Sequence, residues 1–164
     1  MHHSSKKWVI TRCRYNNSDI KWVVDALFTE LQSQALSTKT QLPEAGEISY
    51  LYDQSSVRGN YIDSFFNASS SNYIGNKVAW KIAGHSYFTC WPEWDDRLVG
   101  WRENLRNKLN TYPGLEYWMT EYCIYIPNGS WVPPQHRDYG SGRDLGIDPA
   151  LWVACGLREL FTTT

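Results

Sequence analysis

Leu115-Glu-Tyr-Trp-Met-Thr-Glu-Tyr-Cys-Ile-Tyr-Ile126 reads as a fully buried β-strand with one carboxylate, Glu121, near its middle. An ionised carboxylate withdrawn from water is costly unless it is paired or hydrogen-bonded, and acids placed this way often have tuned proton affinities and catalytic roles. Three readings stay open for Glu121: an ion pair with an arginine, a place at the wet end of the strand, or a chemical role.

Upstream, Leu98, Trp101, Leu105 and Leu109 trace a helical face, with Asp95 and Asp96 at its positive end and Tyr112-Pro-Gly114 as its stop. Before that helix, Lys77 to Phe88 is a second strand candidate running into a loop that contains Pro92. Ile48 to Phe66 suggests one or two short helices closed by the Ser/Asn-rich link Asn67 to Asn72, and Thr38 to Glu44 is a short strand that leaves through Ala45-Gly46. At the amino end, Ser18 is expected to cap a helix reaching about Leu36, whose stripe is Ile20, Val23, Val24, Leu27, Phe28 and Leu31. Downstream lie a Gly/Pro-rich loop from Pro127 to Ile147 and a last helix opened by Asp148-Pro149. The alternation of helix and strand predicts an α/β fold with a parallel sheet and helical covers. In such folds chemistry gathers at the carboxyl ends of strands, where Glu44, His85 and Glu121 all fall. The plainer roles are a loop histidine satisfied by backbone for His85 and a loop-closing hydrogen bond for Glu44.

Composition narrows the partners. With 164 residues, 42% of them hydrophobic and 20% charged, the chain suits one globular domain. A net charge of −1 with no basic cluster gives no footprint for nucleic acid. No apolar run approaches the roughly 20 residues of a bilayer span, and the first residues are not a secretory signal peptide. Nine Trp and eleven Tyr supply core filler or platforms for sugar rings. The cysteines, Cys13, Cys90, Cys123 and Cys155, form no C-x-x-C pair, so neither a zinc site nor a dense disulfide framework is indicated. No G-x-S-x-G elbow, phosphate loop, dinucleotide turn or H-E-x-x-H helix occurs.

Cys13-Arg-Tyr-Asn-Asn17, Pro43-Glu-Ala-Gly46 with Tyr50-Leu-Tyr52, His85-Ser-Tyr-Phe-Thr89, and Trp118-Met-Thr-Glu-Tyr-Cys123 followed by Asp144-Leu-Gly-Ile-Asp-Pro-Ala150 resemble, in order and spacing, consecutive signposts of glycoside hydrolase family 30. The resemblance covers roughly residues 12 to 161, leaving residues 1–12 as an unmatched stub and 13–164 as a partial catalytic domain. It implies part of a (β/α)₈ TIM barrel, about three parallel βα units corresponding to family strands five to seven with a preceding helix, and retaining hydrolysis of β-linked glycans. Glu121 would be the nucleophile, with His85, Tyr87, Trp91, Tyr122 and Glu44 binding substrate. No metal or organic cofactor is called for, and the location implied is extracellular. The β-1,6-galactan or β-1,6-glucan type is the favoured substrate.

The family's acid/base glutamate belongs to an Asn-Glu-Pro element, and no Asn-Glu-Pro occurs in this sequence. A complete barrel takes about 250 residues. The expectation is therefore an isolated chain with little or no catalysis, able to self-associate through open barrel edges. A non-catalytic carbohydrate-binding domain and a truncated product without function are the alternatives.

Overall fold

The computed structural model describes residues 15–42, 44–53, 58–87, 89, 95–122, 125–126, 142–143 and 154. Helix α1 (Asn17–Ser33) opens with a capping box: Asn16 Oδ1 accepts the Asp19 N–H at 2.9 Å, and Asp19 Oδ2 accepts the Asn16 N–H at 3.0 Å. The cap is therefore Asn16 rather than Ser18, whose hydroxyl is spent on Asn16 Oδ1 at 2.6 Å. The helix also stops short of Leu36, because Ala35 turns left-handed (φ 53°) and the Leu36 N–H closes back on Leu31 O at 2.9 Å. Of the expected apolar stripe, Ile20 and Val24 are buried while Val23 and Leu27 stay exposed, since α1 touches chiefly α3 and a 3₁₀ turn (Gly75–Lys77).

The segment after α1 breaks into helix α2 (Ser49–Tyr52) and helix α3 (Tyr61–Phe66). Strand β1 (Lys81–His85), helix α4 (Asp95–Leu109) and strand β2 (Glu116–Glu121) then form a βαβ unit, with β1 and β2 paired in parallel. The stop after α4 is as expected: Gly114 sits at φ 87°, where a side chain would be strained. Strands β3 (Tyr125–Ile126) and β4 (Gly142–Arg143) pair antiparallel. Among the described residues this is a small α/β fold with a two-stranded parallel sheet and four helices.

Two strand expectations need correction. The described residues of 38–44 form no strand; the segment runs alongside 78–84 through isolated parallel bridges, Thr40 to Val78 and Ala45 to Gly84. Three full βα units are therefore not present among the described residues. The strand around Glu121 ends at Glu121 and alternates between half-buried and exposed positions, because β2 covers only one flank of β1 and has no further partner among the described residues. The loop and helix expected after Pro127 lie almost wholly outside the described residues. No described helix is long and apolar enough to cross a membrane.

The core lies where α2, α3 and α4 meet the outer face of β1. Ile48, Leu51, Ile62, Phe65 and Ile82 are sealed there, and Phe66 meets Trp80 edge to face at 4.8 Å. Gly84 suits this closeness, because a Cβ would stand 3.2 Å from Leu51 Cδ1. Asp63 of α3 clamps the end of α4, accepting from Lys108 Nζ and from the Tyr112 hydroxyl, each at 2.7 Å. Burial pushes the Asp63 carboxyl up, but these hydrogen bonds outweigh it and hold the group below its ordinary value of 3.8, while the Tyr112 hydroxyl is pushed up to about 12.

A carboxylate with a lowered folded value contributes stability that is present above the unfolded value and lost as pH falls through the folded one. Asp63→Asn is expected to cost about 1 kcal/mol at pH 7. In urea melts, the gap between wild type and variant closes as pH drops below 3.8.

Candidate functional site

Three chain segments deliver the site. The Ala45 N–H donates to Ala83 O at 3.1 Å and the His85 N–H to Ala45 O at 2.8 Å, which docks Glu44 beside one flank of β1. On the other flank the Ser86 N–H donates to Glu121 O at 2.9 Å. The carboxyl end of β1 is thus the middle of a row, with Glu44 on one side and Glu121 on the other.

Register decides which way Glu121 points. The ladder runs Lys81 with Glu116, Ile82 with Tyr117, Ala83 with Trp118 and Gly84 with Met119, and then skips Thr120 to pair His85 with Glu121. In an unbroken ladder His85 would oppose Thr120, and alternation would send Glu121 to the opposite face with Met119 and Tyr117. The extra residue is a bulge, uncommon in parallel pairs and a device for re-aiming a side chain. Thr120 and Glu121, though consecutive, therefore both reach the face of His85.

The side chains close into one cluster. Glu44 Oε2 accepts from His85 Nε2 at 2.8 Å and from the Thr120 hydroxyl at 2.7 Å. Glu121 Oε2 accepts the Tyr87 hydroxyl, while Glu121 Oε1 lies 3.6 Å from His85 Nε2, beyond a normal hydrogen bond. His85 and Tyr87 meet edge to face, ring centroids 5.3 Å apart. Below them Arg102 of α4 is 6% exposed and pins the turn that carries Tyr87, donating to Ser86 Oγ at 2.5 Å and to Leu98 O at 2.6 Å, with Thr89 Oγ1 at 3.5 Å.

Hydrogen bonds from Thr120 and then from His85 hold the Glu44 carboxyl below its ordinary value. An acid so held stays ionised at neutral pH and accepts protons poorly. Glu121 is 51% exposed at its side chain, with Oε2 engaged by Tyr87 and Oε1 3.6 Å from His85 Nε2. That asymmetry suits a carboxylate that attacks an electrophile. Glu44, His85 and Glu121 each offer a ligand atom, all within 4.8 Å of one another, and are the described residues that could hold a cation.

Of the residues singled out in the sequence, the structure brings Glu44, His85, Tyr87 and Glu121 together. The wet strand end is where Glu121 lies, rather than in a buried strand interior. The Tyr122 ring lies instead against the Arg102 guanidinium, 6.0 Å from centroid to Cζ. Trp91 is outside the described residues. Thr120 was missed, although its place beside Glu121 was the available signal; the bulge that brings it to Glu44 leaves no mark in residue type.

Residues 7–163 match the model of O-glycosyl hydrolase family 30, and the chain belongs to that family. Among solved structures it is similar to a conserved exported protein from Bacteroides fragilis, with a TM-score of 0.68 and 22% identity over 90% of this chain. The chain spans 30% of that protein's length, and the likeness speaks to the fold. No curated protein matches.

Carbon-detected NMR of protein labelled at the glutamate carboxyls is expected to show Glu44 titrating below the ordinary value of 4.5. His85→Phe, which keeps the ring against Tyr87 but removes the donor, moves that titration upward.

Proposed function

We propose that this chain is the nucleophile-bearing segment of a retaining glycoside hydrolase acting on β-linked glycans, with Glu121 as the nucleophile. The observation that carries the reading is the setting of Glu121: Oε2 held by Tyr87 and Oε1 without a hydrogen bond among the described residues, at the carboxyl end of a strand in a family 30 chain. In retaining hydrolysis one carboxylate attacks the anomeric carbon while a second carboxyl, roughly 5 Å away, protonates the departing oxygen. Glu44 is near enough but is held ionised, so it does not supply that proton. The acid is then a carboxyl other than Glu44, and without it hydrolysis loses a general-acid contribution of about 10²–10⁴-fold.

His85 and Tyr87 line the sugar subsite. The β-1,6-galactan or β-1,6-glucan type is the preferred substrate, and an extracellular location is supported by the exported relative. No cofactor enters the reaction.

A substrate whose leaving group needs no proton separates the nucleophile from the missing acid. With 2,4-dinitrophenyl 2-deoxy-2-fluoro-β-D-galactoside or the corresponding glucoside, Glu121 Oε1 bonds to the anomeric carbon as the bond to dinitrophenolate breaks, and the phenolate leaves with the electron pair. Peptide mass spectrometry is expected to find one glycosyl adduct, on Glu121, and none in Glu121→Gln. The same protein leaves β-1,6-linked galactobiose uncut. An adduct on another residue, or labelling that survives in Glu121→Gln, contradicts the assignment.

A further inference from the structure

His85 Nε2 faces two carboxylates at once, Glu44 Oε2 at 2.8 Å and Glu121 Oε1 at 3.6 Å. Against a carboxylate oxygen that nitrogen must carry a hydrogen, and it has only one to give. The geometry gives it to Glu44. An imidazole N–H donated to Glu121 instead would occupy the lone pair needed for attack and stabilise the carboxylate as a leaving group rather than as a nucleophile.

Glu44 could not keep that position unaided, because it is 42% exposed at its side chain and sits on a segment that joins β1 only through isolated bridges. The one other hydrogen bond it receives comes, among the described residues, from the Thr120 hydroxyl, at 2.7 Å and across 76 residues of chain. Thr120 is able to reach it because it is the residue skipped in the β1 to β2 register. We propose that Thr120 is a positioning residue: by donating its hydroxyl to Glu44 it fixes that carboxylate as the acceptor of the His85 Nε2–H, which leaves Oε1 of Glu121 free to attack. This rests on Glu121 being the nucleophile.

The bulge thus does two tasks with two neighbouring residues. It aims Glu121 at the sugar, and it uses Thr120 to tie down the competing acceptor. The lowering of the Glu44 carboxyl below its ordinary value, for which the Thr120 hydrogen bond is the largest cause, agrees with the arrangement.

Thr120→Val keeps the β-branched shape of an exposed strand position and removes only the donor, while Thr120→Ser restores it. In carboxyl NMR, Glu44 is expected to titrate higher in Thr120→Val and to return in Thr120→Ser. The rate constant for labelling of Glu121 by the dinitrophenyl 2-fluoroglycoside falls about tenfold in Thr120→Val, the worth of one hydrogen bond to a charged group, and recovers in Thr120→Ser. A Glu44 titration unmoved by Thr120→Val overturns the proposal, as does a moved titration with unchanged labelling, which makes Thr120 merely structural. Absence of labelling in the wild type contradicts the nucleophile reading and the positioning role with it, and the NMR arm then reports by itself whether Thr120 holds Glu44.

Discussion

One register shift, between Gly84 and His85, decides which side chains share the carboxyl end of β1. Strand side chains alternate between faces, so a slip of one residue exchanges what faces the site for what faces the helices. Here the slip falls after Met119, so Tyr117 keeps the half-buried position from which its hydroxyl reaches Gly84 O at 3.3 Å, while Glu121 is brought onto the side of His85. The bulge is anchored on both strands. The Ser86 N–H holds Glu121 O, and Arg102 holds Ser86 from beneath.

Around that anchor the fold places small residues where segments approach closely and charge where they part. Ala45, Ala83 and Gly84 let the Glu44 segment, β1 and α2 draw together, and a methyl added at Gly84 would press on Leu51. At the rim, two carboxylates that could repel each other are separated by an imidazole and by two hydroxyl donors, Thr120 on Glu44 and Tyr87 on Glu121. Glu44 Oε2 takes two donors, whereas Glu121 Oε2 takes one and its Oε1 lies 3.6 Å from His85 Nε2. In the proposed retaining role Glu121 is oriented by Tyr87 without being saturated, as a nucleophile must be.

Much of this was legible in the residues. The spacing of Leu98, Trp101, Leu105 and Leu109 and the Tyr112-Pro-Gly114 stop located α4, and the alternation of elements with polar residues at strand ends pointed to Glu44, His85 and Glu121 as one rim. Less came through where tertiary context overrode local pattern. Val23 and Leu27 fit an amphipathic stripe yet remain exposed, because α1 has neighbours along only part of its surface. The apolar run around Glu121 looked like a buried strand because Tyr, Trp and Met serve a half-exposed edge as well as a core. The bulge has no residue signature, so Thr120 could not be distinguished from any other strand threonine.

The most direct check is a crystal structure of the protein at a resolution that fixes side-chain oxygens, with attention to β2 at its carboxyl end. It should show His85 opposite Glu121 with Thr120 skipped, the Thr120 hydroxyl on Glu44, and one Glu121 oxygen on Tyr87 with the other unshared. A regular ladder with Thr120 opposite His85 and Glu121 turned to the helical side would contradict the account at its base.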